Sequence, residues 1–480
     1  ARVPDALRGD GILVVASSSE PDADALRKVA AAALKELGIE AGDALHVSTG
    51  TAIPETATGK PVRRTLSEEF VAARSPIVTA LPEQKSSTPT NGGVLGFVQR
   101  SFPGQEVGKN ATFESLGGDS LGYIQFSLGF EKRFGALPSG WESLTVEQLE
   151  RSVSDGRGGF WRHLESATLG RAFFMICIVA LHLGTFMYSS NFGAAYFLFM
   201  LAGYSVSRFQ WPEISRTGKV WTLLGTVSRV AVPSVLMIVA MQLWTRHFEL
   251  KPLLLISNFF DPRQYHVAYF YFSEIYMQLL LIVAAIFSFR RVREMFRKWP
   301  MLCSTALLVA SIAASHEIEL YWDTNYLFHR TPHWCAWAFA SGMVMASAAG
   351  RSLTIRALAL AIVGIATVNH FGFTSAAYYV GGACAVLLFM PELTVPLPVK
   401  TVVGEIAGSS MFMYLSHAQV RNLVTRLFHA PMPWVSLICA IGFGVLYARC
   451  YGWAEATARE FAGRHWNWPG KRTPPAPAHT

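Results

Sequence analysis

The sequence predicts a mainly α-helical protein, with a bundle of about ten membrane helices preceded by a small four-helix domain and a small α/β subdomain. Hydrophobic residues make up 51% of the 480 residues and charged residues only 15%, whereas a soluble globular protein usually carries about 25% charged residues. From about residue 167 onward, apolar runs approach the ~20 residues that cross a bilayer. This contrast predicts a polar front part joined to a membrane domain.

Residues 1–80 are predicted to form the α/β subdomain. Residues 11–16 have the apolar character of a short buried strand, and residues 44–47 predict a second strand. Between them, residues 22–37 have helical spacing behind an Asp-rich start. A short closing helix is expected over residues 66–73.

Two linkers divide the rest of the chain. Residues 81–93 are rich in Pro, Ser, Thr, Asn and Gly, and residues 154–166 contain a Gly-rich run, so both are predicted to be linkers. The small helical domain then covers residues 94–153, the membrane domain 167–456 and a tail 457–480. The apolar segments lie at residues 167–189, 192–209, 220–245, 266–289, 300–315, 333–349, 354–370, 372–390, 401–425 and 433–456.

Basic residues are concentrated in short loops between the apolar segments, such as Arg290 to Lys298. An excess of Lys and Arg marks loops on the cytoplasmic side. We therefore predict a multi-pass protein of a bacterial inner membrane, in contact with the lipid bilayer, with both ends in the cytoplasm. Because the net charge of +8 comes largely from such loops, no nucleic-acid partner is expected. The six cysteines lack CxxC spacing, which favours buried thiols over a metal site.

The stretch Ile53–Arg64 (IPETATGKPVRR) resembles the C-terminal lid of adenylate-forming enzymes, and is closer to fatty-acyl ligases than to amino-acid-activating domains. The resemblance implies that Lys60 contacts the acyl phosphate during adenylation. An ordinary surface turn is the alternative for Gly-Lys-Pro. The sequence has no phosphate-binding loop and no large nucleotide-binding subdomain. The chain is therefore expected to receive its acyl group from an adenylating enzyme or from a preceding domain.

The stretch Phe113–Leu121 (FESLGGDSL) begins a predicted helix at Asp119 and Ser120. A helix N-terminus favours phosphate, and the preceding glycine pair leaves room for a close approach. The stretch resembles the signature of acyl and peptidyl carrier domains. That resemblance implies that Ser120 carries 4′-phosphopantetheine, attached by a phosphopantetheinyl transferase. The alternative is an ordinary helix capped by Asp119.

Arg171 and His182 are ionisable residues on one predicted membrane helix, where such groups are costly. They are 11 residues apart, which is close to three turns, so they lie on one face about 16 Å apart along the axis. A phosphopantetheine arm has a comparable length. We therefore hypothesise that Arg171 holds the phosphate of the arm while the thioester reaches His182.

The spacing of Arg171 and His182 also resembles the signature of the acyltransferase-3 family of polytopic membrane enzymes. The similarity covers residues 167–456, with further matches at Tyr196–Tyr204, Arg229–Pro233, Phe272–Gln278 and Gly408–His417. Thr226 stands where that family often has an arginine, so contacts at the inner face are expected to differ.

These features suggest roles for five residues. His182 is expected to act as general base, because imidazole titrates near the working pH. Arg171 and Arg229 are expected to bind the donor phosphate, and Glu274 to orient an imidazole. His417 is expected to contact the acceptor or to pair with Glu274. The alternatives are that His182 is a structural histidine, that Arg171 and Arg229 lie at the membrane interface, and that Glu274 makes only a structural hydrogen bond.

The function predicted from these features is transfer of an acyl group from the arm on Ser120 to a hydroxyl or amine of a glycan, lipid or small molecule. Two alternatives remain at this point. The carrier-bound group is an amino acid, which gives aminoacyl transfer, or the membrane domain is a transporter with a tethered carrier domain.

Overall fold

The computed structural model describes residues 2–5, 9–17, 23–36, 45–50, 93–102, 105, 107–138, 140–153, 160–185, 193–261, 263, 270–324, 327 and 330–465. Contacts divide the chain into two units, Ala1–Pro89 and Thr90–Thr480.

In the first unit, the described residues form a three-stranded sheet and one helix. Strand β1 (Arg2–Asp5) runs antiparallel to β2 (Gly9–Ser17), and β2 runs parallel to β3 (Leu45–Gly50). A parallel pair needs a crossover connection, which contains α1 (Ala23–Glu36). Strands β2 and β3 and helix α1 confirm the predicted elements, whereas β1 has no counterpart in the prediction. The predicted closing helix and Lys60 lie outside the described residues.

The second unit begins with a small group of helices, residues 93–153, which we call the front helices. Within the described residues, the α-helices of this group are α2 (Val94–Ser101), α3 (Ser120–Phe134) and α4 (Val146–Ser152), where four helices were predicted. Helix α3 begins at the predicted place because the Asp119 carboxylate accepts a hydrogen bond of 2.8 Å from the Gly122 amide. It ends at Gly135, whose φ of 92° suits glycine.

A two-stranded ribbon follows the front helices. Strand β4 (Trp161–Glu165) pairs antiparallel with β5 (Glu392–Pro396). The prediction of a linker over residues 154–166 is therefore wrong for β4. The strand is short and contains three charged or ionisable residues, and its partner is more than 200 residues away, so its own sequence gives little sign of the pairing.

Helices account for nearly all of the remaining described residues. They are α5 (Ser166–His182), α6 (Ala194–Ser205), α7 (Trp211–Thr217), α8 (Trp221–Thr245), α9 (Leu250–Leu253), α10 (Tyr271–Ser288), α11 (Arg290–Lys298), α12 (Pro300–Tyr321), α13 (Pro332–Ala348), α14 (Leu353–Phe371), α15 (Ser375–Phe389), α16 (Leu397–Gly408), α17 (Ser410–Phe428) and α18 (Pro433–His465). Among the described residues, five helices are long and apolar enough to cross a membrane, namely α8, α10, α12, α14 and α18 as far as Ala458. The structure thus confirms the mainly α class and supports a membrane protein.

Helices α6 and α13 pack directly against each other. A Cβ atom added at Gly203 would lie 1.9 Å from the Phe339 carbonyl oxygen, and one added at Gly342 would lie 1.9 Å from the Met200 carbonyl oxygen. The two backbones therefore touch, because glycine has no side chain to separate them.

The segment predicted as one helix at 401–425 is divided between α16 and α17. Ser409 separates them, with φ −100° and ψ 3°. Both helices pack on α5, but α16 also packs on α3 of the front helices, whereas α17 packs most extensively on α18.

Candidate functional site

Ser120 lies against the second unit's apolar helices. Its hydroxyl oxygen accepts a hydrogen bond of 2.6 Å from Nη2 of Arg171, which lies in the second turn of α5. A guanidinium group only donates, so the hydroxyl is the acceptor. The structure thereby brings together two residues that the sequence singled out for separate reasons.

Asp119 makes a second polar contact beside Ser120. Its Oδ2 lies 3.0 Å from Nη2 of Arg229, and the Thr226 hydroxyl donates to the same oxygen at 3.2 Å. The Gln210 amide in turn donates to the Thr226 hydroxyl at 2.6 Å. Thr226, at the position where the resembled family often has an arginine, therefore binds the residue that caps α3.

The front helices lie on α16 along a contact stripe made of three residue pairs. The pairs are Glu131 with Lys400, Leu128 with Gly404 and Ile124 with Gly408. The ion pair is 2.7 Å long, and a Cβ atom added at Gly404 would lie 2.8 Å from Cδ2 of Leu128. The residues are three or four apart on α3 and four apart on α16, so each series lies on one helix face. The numbers rise on one helix as they fall on the other, so the two helices run antiparallel.

An aromatic cluster and an ion pair join the front helices to the segment after α6. Tyr123 stacks on Phe209 with ring centroids 5.2 Å apart. Arg208 binds Glu142 of the front helices at 2.7 Å and Glu165 of β4 at 2.8 Å. Burial raises the pKa of the Glu165 carboxyl, and Arg208 opposes that rise. The contact is thus both apolar and charged.

A cavity of about 80 Å³ lies beside Ser120, among the helices of the second unit. Its lining includes Asp119, Ser120, Arg171 and Arg229 at one end and Tyr414 of α17. The volume has room for about two or three water molecules. Much of the remaining lining is apolar, so the cavity joins Asp119 and three predicted site residues, Ser120, Arg171 and Arg229, to the apolar interior.

His182 and His417 form a hydrogen-bonded pair. Nδ1 of His182, the last residue of α5, lies 2.8 Å from Nε2 of His417, and their ring centroids are 4.9 Å apart. Nδ1 of His417 lies 2.7 Å from the backbone oxygen of Tyr414. Since Tyr414 also lines the cavity, one turn of α17 connects the cavity to the histidine pair.

Glu274 is fully buried but does not orient either ring. Its Oε1 accepts from the Ser257 hydroxyl at 2.6 Å, and its Oε2 accepts from the Asn258 amide at 2.7 Å. The expected pairing of Glu274 with an imidazole, His417 included, is therefore corrected. The carboxylate instead fixes the segment before α10, because two otherwise buried donors in that segment need an acceptor.

Two arginines near His182 were not among the predicted site residues. Arg421 donates to the His182 backbone oxygen at 3.0 Å, and Arg330 lies over the Tyr271 ring, 4.5 Å from its centroid. Both guanidinium groups interact electrostatically with His182. Arg421 could have been found, because it follows His417 by four residues and so lies on the same helix face.

Chemically, the described site contains a hydroxyl beside an arginine at one end and an imidazole pair at the other end of the same helix. Over the described ranges, no group of three His, Cys, Asp or Glu side chains is arranged to hold a metal ion. Comparisons with protein-family models, with curated proteins and with solved structures found no match to this chain.

Proposed function

We propose that this chain is a membrane acyltransferase, in which the front helices are a carrier domain that delivers an acyl group as a phosphopantetheine thioester on Ser120. The observation that carries the proposal is the placement of α5. Arg171 binds the Ser120 hydroxyl near the start of this helix, and His182 ends it. Eleven residues of helix separate them by about 16 Å, a distance comparable with the length of the arm.

The residues around Ser120 fit a phosphodiester. Arg171 already contacts the oxygen that would become the ester oxygen, and Arg229 lies beside Asp119, the preceding residue. Guanidinium groups bind phosphate through charge-assisted hydrogen bonds, and the start of α3 adds the positive end of a helix. The phosphopantetheine group, when bound, supplies the thioester that is cleaved.

His182 is the proposed general base. It takes the proton from the hydroxyl or amine of the acceptor while the acceptor atom bonds to the carbonyl carbon of the thioester. His182 would then return the proton to the leaving sulfur as the carbon–sulfur bond breaks, so that the sulfur would leave as a thiol. The reaction thus consumes one thioester and one acceptor and releases one acylated acceptor and one free arm.

The contact stripe supports delivery from the chain's own carrier domain. It holds α3 against α16 with Ser120 in the lining of the cavity. The basic loops favour a bacterial inner membrane with this contact on the cytoplasmic side, within a bundle of about ten helices. A phosphopantetheinyl transferase and an adenylating enzyme, or a preceding domain for which residues 1–80 with Lys60 would supply the lid, then become the required partners.

Intact-protein mass spectrometry of the full chain, purified after co-expression with a phosphopantetheinyl transferase, tests the first half of the proposal. The expected result is a phosphopantetheine mass that Ser120→Ala removes. Loading with a labelled acyl-phosphopantetheine, followed by incubation in native inner-membrane vesicles, tests the second half. Label should leave the wild-type protein and remain on His182→Ala.

Two results would reject this function. The first is a purified chain that carries no arm at Ser120, and the second is transfer at the normal rate by His182→Ala. The mass of the native acyl group also distinguishes a fatty or short acyl group from an aminoacyl group. If His182→Ala loses transport of a solute but keeps acyl transfer, the transporter alternative is favoured.

A further inference from the structure

The histidine pair has a directional hydrogen-bond pattern. His417 is 7% exposed, and each of its ring nitrogens has a partner at hydrogen-bond distance. Nδ1 faces the Tyr414 backbone oxygen at 2.7 Å, whereas Nε2 faces Nδ1 of His182 at 2.8 Å. These two partners determine which nitrogen carries the proton in each ring.

A backbone oxygen only accepts hydrogen bonds, so Nδ1 of His417 carries a proton. In a neutral imidazole the other nitrogen is then an acceptor, and Nε2 of His417 must receive a proton from Nδ1 of His182. This leaves Nε2 of His182 with a free lone pair. Because a ring nitrogen with a lone pair can accept a proton, Nε2 is the atom at which His182 can act as a base.

The neutral form of His417 fits its surroundings. Among the described residues no carboxylate is hydrogen-bonded to either ring, and the charged groups that interact electrostatically with His182 include Arg330 and Arg421. A buried cation without a counter-charge is costly. The hydrogen bond that Arg421 makes to His182 goes to the backbone oxygen and not to the ring.

We propose that His417 is a positioning residue, which holds His182 in the tautomer protonated at Nδ1 and directs the Nε2 lone pair at the acceptor. This inference rests on the proposed function. When Nε2 of His182 takes the acceptor's proton, Nε2 of His417 still accepts from Nδ1–H, so the hydrogen bond strengthens as charge develops on His182. His417 itself gains no proton, and the proton on His182 goes to the leaving sulfur.

Kinetics of three variants test the role of the hydrogen bond. His417→Ala should lower kcat about 10- to 100-fold, the usual effect of removing a partner that orients a histidine, with little change in KM for a soluble acyl-pantetheine thioester. His417→Gln should recover a large part of kcat, because its Oε1 can accept from Nδ1 of His182. His316→Ala, at an exposed position of α12, is the matched control and should behave as wild type.

The ring ¹⁵N spectrum of the unacylated full chain, labelled at histidine, tests the tautomer without any turnover. The signals that His182→Ala removes should be those of a ring protonated at Nδ1. In His417→Ala, the His182 signals should move toward a mixture of the two tautomers, whereas His316→Ala should leave them unchanged.

Three outcomes would overturn the inference. They are an unchanged kcat in His417→Ala, a kcat in His417→Gln as low as that of His417→Ala, and a wild-type spectrum in which His182 is protonated at Nε2 instead. If the wild-type chain transfers no acyl group at all, the proposed function fails, but the spectrum still decides the tautomer. Loading of Ser120 in each variant shows that the front helices are folded, and an unchanged Tm of the detergent-purified variant shows the same for the rest of the chain.

Discussion

Gly404 provides the sharpest test of the contact between α3 and α16. Its missing side chain leaves the space that Leu128 occupies, and a Cβ atom added there would lie 2.8 Å from Cδ2, 3.0 Å from Cδ1 and 3.2 Å from Cγ of Leu128. Alanine would be tolerated if Leu128 turned aside. The longer side chain of Gly404→Leu would fill the same space, so α3 would have to move away from α16.

The expected cost follows from the packing. Adding methylene groups to a filled contact typically costs about 1–3 kcal/mol. At about 1.4 kcal/mol for each factor of ten, the ratio of docked to undocked carrier should fall about 5- to 140-fold. The ion pair between Glu131 and Lys400, at the far end of the same stripe, would be lost with it.

Single-turnover transfer measures this loss. The arm on Ser120 is loaded with a labelled acyl group, and its departure in native membrane vesicles is followed by intact-protein mass spectrometry. Gly404→Leu should slow departure, while transfer from a soluble acyl-pantetheine thioester stays near the wild-type rate. Gly382→Leu is the matched control, since a Cβ atom there meets no other atom within 4 Å.

A second change makes the test specific. Leu128→Ala removes the side chain that Gly404→Leu displaces, so the double variant should recover much of the rate. Wild-type transfer by Gly404→Leu would show that the contact stripe is not used in delivery. Equal loss with the soluble donor would show that the substitution damages the membrane domain itself.

Three further predictions concern individual polar contacts. Arg171→Gln should leave loading of Ser120 intact but slow single-turnover transfer about 10- to 100-fold, because a hydrogen bond from a charged donor is worth about 1.5–3 kcal/mol. Arg290→Gln, at the exposed start of α11, should have no effect on the same measurement. Glu274→Ala should lower the Tm of the detergent-purified chain, since two buried donors lose their acceptor at a cost of about 1–3 kcal/mol, whereas Glu274→Gln retains one acceptor and should lose less; equal Tm values would contradict the anchoring role. Arg208→Gln removes the group that opposes the raised pKa of Glu165, and a carboxyl with a raised folded-state pKa stabilises the fold at low pH and loses that contribution as pH rises. The Tm difference between Arg208→Gln and wild type should therefore widen with increasing pH through the titration of Glu165, and a difference that does not change with pH would refute the assignment.

Local signals explain which parts of the site could be predicted. Asp119 and Ser120 mark a helix start because a capping carboxylate and a following hydroxyl need no distant partner. The separation of Arg171 and His182 depends only on helix geometry. The apolar segments depend on composition within a window of about 20 residues. In each case the information lies within one turn, one helix or one window.

The contacts between distant segments could not be predicted in the same way. Strand β4 finds its partner β5 far along the chain, and Gly404 looks like any other helical glycine until Leu128 is placed against it. For Glu274, the sequence suggested the wrong partner. A buried carboxylate in an apolar span suggests an imidazole partner, but the carboxylate accepts hydrogen bonds from the Ser257 hydroxyl and the Asn258 amide.

Helix α5 explains why these separate contacts form one site. Near its start, Arg171 donates a hydrogen bond to Ser120. At its end, the His182 ring is hydrogen-bonded to His417, and the His182 backbone oxygen accepts from Arg421. A continuous helix of this length changes its end-to-end distance little, so the spacing between the two ends is set by the covalent chain. Under the proposed function, a carrier bound at one end would present its thioester at a fixed depth, and a shortened arm should lose transfer while it keeps binding at Arg171.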